Sequence, residues 1–357
     1  MRLNGWAVLC VLAAALGAAE VGAYRFSFAS DSPSRIAAAA EANRWAPKDF
    51  PLRFHLQDNI PEFLDEAEWR QLVRDALARW NAVQTAEVEL ILEPGLVPPA
   101  MTENGADIHD AMFTIGWRPP GGLGLTGQAV VHGEWWTRRL TSCDIVMGNT
   151  FQTWIDNGTE RASVMETLVY ILLHEMGHCL GLEHTEPHPV PRFFFSEDLA
   201  NRTGVPASRF GPDTVMSYTQ AFPVELSADD AVGVSLLYPS PGYLERRGSV
   251  SGRLLLDADP VSFAYVQAVY PGSRPHMGPG VFADADGAFR LEGLDPGPLL
   301  LWVHPILLQG PNAHPYMLDH AREEGVLNVL DQWQWVRVEE GTTISLPPFH
   351  LVSGRPR

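Results

Sequence analysis

The sequence predicts an α+β domain followed by an all-β unit. Two long stretches repeat their apolar residues with the period of a helix, and shorter stretches around them alternate apolar and polar residues as half-buried strands do. Beyond residue 248 only short alternating segments and turn signals remain. A chain of 357 residues suits two domains plus an export segment. We place the domains at residues 50–240 and 248–357, with a linker at 241–247.

The N-terminus has the features of a secretory signal peptide. A charged start precedes an apolar run at residues 6–16, which is shorter than the ~20 residues that a membrane helix needs. Small residues follow, so we place a signal peptide at residues 1–23, with cleavage after either Ala19 or Ala23. We therefore expect a secreted, periplasmic or extracellular protein without a membrane span.

The first domain is predicted to open as strand, helix and strand. Residues 24–49 are rich in alanine and serine without a clear period, so we interpret them as a leader or short pro-segment. Residues 52–56 alternate as a strand does. Asp65 and Glu68 form a helix-capping signal. The apolar face of the helix that follows consists of Trp69, Leu72, Val73, Ala76, Leu77 and Trp80.

The rest of this domain is predicted from periodicity and turn residues. The order is a strand at 88–92, a strand at 111–117, a glycine-rich loop at 119–127, a strand at 144–147, a long helix at 162–180 and a last helix at 227–237. The glycine loop lacks the Lys-Ser/Thr ending of a phosphate cradle. The net charge of −18 leaves no basic surface for phosphates, so we expect no nucleic-acid partner.

Three histidines at fixed spacing predict a zinc site. His174 and His178 lie four residues apart on the long helix, so both imidazoles project from one face. Gly181 can end the helix in the left-handed conformation, which lets the chain return His184 as a third ligand. Glu175 beside the first ligand can take a proton from zinc-bound water. This pattern indicates a zinc-dependent endopeptidase that acts on polypeptides.

The segment from His174 to His184 resembles the zinc signature of the metzincin metallopeptidases, and residues 214–218 resemble their Met-turn. Within that clan the chain is most similar to the matrixins, because of Trp80-Asn81, the 143–146 strand and the 226–239 segment. The resemblance covers about residues 50–240.

This resemblance implies a twisted mixed sheet with long helices, one catalytic zinc ion and cleavage within polypeptides. Met216 would form a hydrophobic floor beneath the metal. Tyr218 would be either a swinging zinc ligand and oxyanion donor, as in the astacin and serralysin branches, or a packed side chain. The alternative is an exported binding or adhesion protein with an inactive peptidase fold, against which the intact Glu175 argues.

The C-terminal region resembles the transthyretin-like regulatory sandwich of carboxypeptidases, through the glycine turns at 248–252, 284–289 and 291–297. The resemblance implies a module that docks to a surface or another protein and carries no chemistry. The 284–287 turn lacks the further oxygens of a calcium loop, which favours a hairpin turn and leaves a structural Ca²⁺ ion open. We expect a monomer whose first domain folds in a chain ending near Pro239.

Two cysteines, Cys143 and Cys179, remain after signal removal. An oxidising compartment favours a disulfide between them. Two buried free cysteines that pack as small apolar residues are the alternative.

Overall fold

The computed structural model describes residues 7–9, 25–26, 42–99, 101–102, 105–106, 112–118, 126–134, 136–183, 214–216, 224–261, 264–271, 276–284, 286–304 and 332–352. In these ranges the chain is mixed α/β and mostly sheet, with four α-helices and a sandwich-like C-terminal part. An α+β domain followed by a β-rich unit is therefore present. The finer expectation of a metzincin fold is not shown.

The first domain contains ten short or long strands in the described part of the chain. They are β1 (Ala7–Leu9), β2 (Arg25–Phe26), β3 (Leu52–Gln57), β4 (Leu90–Val97), β5 (Met101–Thr102), β6 (Gly105–Ala106), β7 (Phe113–Trp117), β8 (Gly127–Glu134), β9 (Arg139–Met147) and β10 (Leu182–Glu183).

Six of these strands form a mixed sheet in the order β1-β8-β9-β7-β3-β4. The β9-β7, β7-β3 and β3-β4 pairs are parallel, whereas β8 is antiparallel to both β9 and β1. Strands β5 and β6 pair with each other, and β10 pairs with β2. Strand β1 lies in the predicted signal peptide, so signal cleavage would leave β8 at the sheet edge.

Three of the four described helices lie close to where the sequence predicts them, and the fourth, at Thr150–Asp156, is an additional short helix. They are α1 (Glu66–Asn81), α2 (Thr150–Asp156), α3 (Arg161–Cys179) and α4 (Ala228–Leu237). The Asp65 side chain caps α1 by accepting the Glu68 N–H at 2.8 Å. The Trp80 indole of α1 donates to the Leu173 carbonyl of α3 at 3.2 Å, within the buried interface of the two helices. The helix predicted from its apolar face between Trp69 and Trp80 and the long helix predicted at 162–180 are confirmed.

A disulfide joins Cys143 of β9 to Cys179 at the end of α3, with their Cα atoms 5.5 Å apart. Both residues are buried. The bond closes a separation of 36 residues and ties the helix that carries the histidine motif to the central sheet.

The end of the predicted leader belongs to the packed core. Trp45 is 2% exposed, and its indole N–H donates to the Cys179 carbonyl at 2.7 Å. Its backbone N–H donates to the Tyr238 hydroxyl at 3.2 Å. Residues 42–49 therefore stabilise the end of α3.

The C-terminal unit packs two sheets face to face. Its strands are β11 (Gly248–Leu256), β12 (Asp259–Pro260), β13 (Tyr265–Tyr270), β14 (His276–Phe282), β15 (Ala288–Leu294), β16 (Gly297–His304), β17 (Gln332–Val338), β18 (Thr343–Ser345) and β19 (Phe349–Leu351). One sheet has the order β12-β11-β15, with β18 and β19 also paired to β11, and the other has the order β14-β13-β16-β17.

The turn before β15 is the hairpin turn that the sequence predicts. The Asp284 carboxylate accepts the backbone N–H groups of Asp286 and Ala288 at 2.9 and 2.8 Å. Gly287 has a φ of +69°, the left-handed conformation that favours glycine.

The two units share a continuous hydrophobic core. Tyr243, inside the predicted linker, is only 2% exposed. A Cβ atom added at Gly293 of β15 would overlap Val232 of α4. The linker is therefore a packed connection. No helix in the described ranges is long and apolar enough to span a membrane.

Candidate metal site

The last turns of α3 bring His174 and His178 together. Both side chains are buried, and their rings meet edge to face with centroids 4.7 Å apart. Their Nε2 atoms lie 3.2 Å from each other. The four-residue spacing therefore places both imidazoles on one helix face, as the sequence predicts.

A backbone carbonyl fixes each ring from its other side. The Nδ1 atom of His174 lies 2.6 Å from the Val215 carbonyl, and the Nδ1 atom of His178 lies 2.8 Å from the Leu182 carbonyl. Because a carbonyl oxygen only accepts, each Nδ1 carries a proton and donates it. In a neutral ring, Nε2 is then the nitrogen with the lone pair.

Burial makes the imidazole of His174 hard to charge. Burial, and secondarily the neighbouring His178, lower the pKa of His174 to about 3, although the hydrogen bond to Val215 opposes this shift. The site therefore keeps its histidine in the neutral form, which is the form that binds a metal ion.

Glu175 is enclosed beside the histidines. Burial raises the pKa of its carboxyl to about 8, against a hydrogen bond from the Ala129 backbone. Its Oε1 atom makes no hydrogen bond within the described structure. A Cβ atom at Gly127 would lie 3.0 Å from that oxygen, so the absence of a side chain there lets β8 pass close to Glu175.

Two predicted supporting residues lie at this end of the helix. Gly181 has a φ of +93° and ends the helix, with its N–H donating to the His178 carbonyl at 2.9 Å. Met216 is buried, and its sulfur occupies the space that a side chain at Gly177 would need. Met216 therefore packs directly against the turn of α3 that lies between the two histidines.

The remaining predicted residues, His184 and Tyr218, lie outside the described residues. Within the described ranges, no group of three or more His, Cys, Asp or Glu side chains is arranged to hold a metal ion. The zinc ion therefore stays a prediction, as does a structural Ca²⁺ ion.

Sequence reasoning missed the groups that orient the rings. The carbonyls of Val215 and Leu182 are backbone atoms, which leave no residue-type signal. Asp230 lies in the predicted last helix and was not among the candidate site residues, yet its carboxylate accepts hydrogen bonds from Thr214 and from the Val215 backbone. It thus holds the turn that contacts His174.

Comparison with known proteins gives matches among solved structures alone. No family model and no curated protein matches the chain. Similar solved structures include a DUF3823 family protein from Parabacteroides merdae (15% identity, 30% of this chain and 46% of that chain, TM-score 0.20) and a streptococcal ancillary pilin (19% identity, 31% and 30%, TM-score 0.19).

A further match is an (S)-allantoin synthase, with 11% identity over 58% of this chain and 90% of that chain and a TM-score of 0.20. The chain spans less than half the length of the first two proteins. At these TM-scores none of the three indicates a shared function.

The predicted identification as a metzincin, matrixin-like zinc endopeptidase is contradicted. No metallopeptidase family model matches the chain. A peptidase zinc site needs three protein ligands, and the described residues bring together only His174 and His178. We therefore withdraw the enzyme assignment, and with it the assignment of the sandwich to the carboxypeptidase-associated family.

Proposed function

We propose that this chain is an exported binding protein whose first domain holds a zinc-class divalent cation at His174 and His178. The observation that carries the metal site is the 3.2 Å approach of two Nε2 atoms whose rings are both fixed through Nδ1. The cation stabilises a binding surface in this proposal and performs no hydrolysis.

The tautomers support a cation between the rings. With both Nδ1 atoms donating to carbonyls, the two neutral rings direct lone pairs toward each other. Two lone pairs in a buried site repel, and a shared cation turns that repulsion into two attractive contacts.

The distance fits a zinc ion. Imidazole nitrogens bind zinc at about 2.0–2.1 Å, and two ligands at a tetrahedral angle are then about 3.3–3.4 Å apart. The observed separation of 3.2 Å is within the variation of such sites. His184 remains the predicted third ligand.

Two further features of the chain support export and binding to another protein. The apolar run at residues 6–16 supports export. Docking through the C-terminal sandwich stays part of the proposal, since Trp333 and Trp335 of β17 are exposed and tryptophan is enriched where proteins bind one another.

A zinc titration tests the metal site. The chelator-treated mature protein should bind one zinc ion per chain. His174→Ala and His178→Ala should each weaken binding by more than the ~10–100-fold that an outer-shell residue contributes. His350→Ala, at an exposed position on β19, is the matched control and should bind as the parent protein does. Unchanged affinity in either site variant would refute the site.

A peptide-cleavage assay tests the functional class. A binding role predicts that fluorogenic peptides stay intact when they are incubated with zinc-saturated protein. Cleavage that a chelator abolishes and that Glu175→Ala eliminates would overturn the binding role and restore a hydrolytic one.

A further inference from the structure

Two adjacent aspartates at the start of α4 contact different parts of the molecule. Asp229 and Asp230 are 7% and 1% exposed. Asp229 reaches the C-terminal sandwich, whereas Asp230 reaches the turn beside His174. The first turn of α4 therefore touches both units.

The Asp230 carboxylate is held by four donors. It accepts the Thr214 hydroxyl, the Val215 N–H at 3.1 Å, and the backbone N–H and hydroxyl of Ser227, each at 2.8 Å. Hydrogen bonds to a buried carboxylate have little freedom to rearrange, because an unmet partner is costly. The position of Val215 is thus set by Asp230.

Val215 passes this constraint to the histidine. Its N–H donates to Asp230, and its carbonyl accepts the Nδ1–H of His174 at 2.6 Å. The His178 ring is held separately, by Leu182, so that the two rings depend on different supports.

Asp229 links the same helix to the sandwich. Its Oδ1 accepts the Gly280 N–H of β14 at 3.1 Å in a buried contact. Apolar packing reinforces this link, because Gly293 of β15 lies directly against Val232 and close to the Tyr243 hydroxyl.

We infer that the sandwich is a positioning element of the metal site. The connection runs from Gly280 through Asp229 and α4 to Asp230, and from there through Val215 to His174. This inference rests on the proposed function for its effect on metal affinity. Outer-shell partners that orient a ligating histidine typically change metal affinity by about 10–100-fold.

The test compares zinc affinity in the full mature chain. Asp230→Asn should weaken zinc binding by about 10–100-fold, and Asp229→Ala should weaken it several-fold. Asp286→Asn, at an exposed sandwich position, is the control and should leave the affinity unchanged. Folded Asp230→Asn and Asp229→Ala proteins with parental affinity would overturn the inference.

A second readout works without metal. In chelator-treated protein with ¹⁵N-labelled histidine, both variants should shift the His174 ring signals more than those of His178, which feels the change only through its contact with His174. General loosening of the fold would shift the two rings equally, and an unmoved His174 would refute the connection. Should the parent protein bind no zinc, the proposed function fails, and the ring signals still decide whether the connection exists. If Asp230→Asn does not fold, Asp229→Ala carries the test.

Discussion

The Met216 sulfur fills the space beside Gly177, which immediately precedes His178 in α3. The absence of a side chain at Gly177 lets the 214–216 turn approach the helix closely. The same turn supplies the carbonyl that fixes the His174 ring. One close approach therefore positions both Met216 and the Val215 carbonyl that fixes the His174 ring.

Gly177→Ala should disturb this contact. The added methyl group would overlap the Met216 side chain and press on the Trp80 ring, at a cost of ~1–3 kcal/mol in unfolding free energy. Urea unfolding measures the loss. Glu166→Ala, on the exposed face of α3, should stay within ~0.5 kcal/mol of the parent protein. Equal stability of Gly177→Ala and the parent would show that the turn is free to move away.

The disulfide should stabilise the mature chain. Its 36-residue separation gives roughly 3–4 kcal/mol in the chain-entropy model. The free energy of unfolding of the Cys143→Ala/Cys179→Ala double variant, measured in urea, should be lower by about that amount. Thiol titration of the denatured, unreduced mature protein should find no free thiol. Two titrating thiols would contradict the bond.

Trp45 should matter although it lies in a segment that resembles a leader. It is buried and donates a hydrogen bond to Cys179, so Trp45→Ala should cost ~3–5 kcal/mol. Trp136→Ala is the control, since Trp136 is 57% exposed and its removal should change stability by less than ~0.5 kcal/mol. Thermal unfolding of the two variants measures the difference. Similar midpoints would show that Trp45 contributes no more to stability than an exposed tryptophan does.

A chain that ends near Pro239 should be less stable than the full protein. The cut exposes Val232 and the rest of the α4 face, removes buried Tyr243, and leaves Asp229 without Gly280. We expect poor solubility, or a truncated protein that unfolds at markedly lower urea concentration. A truncated protein as stable as the full chain would show that the contacts between the two units contribute little.

The sequence predicts the helices well because their signals are local. The apolar stripe of α1 and the caps at Asp65 and Ser227 act within a few residues of where they occur. The spacing of His174 and His178 likewise predicts their convergence, since a helix alone determines it.

The features that the sequence does not reveal depend on contacts between distant segments. Gly127, at the start of β8, continues the composition of the glycine-rich loop before it. In the fold, the absence of a side chain at Gly127 lets β8 pass close to Ile171 and Glu175 of α3. Composition near Tyr243 indicates a linker, but only the folded sandwich shows that this side chain is covered. The ring supports at Val215 and Leu182 are carbonyls, which any residue type provides.

X-ray absorption at the zinc edge of the zinc-loaded mature protein tests the central claim most directly. We predict at least two imidazole nitrogens at about 2.0–2.1 Å from the metal, with one fewer in His174→Ala and in His178→Ala. A spectrum without imidazole scattering, or one that neither variant changes, would show that the two histidines do not hold the metal.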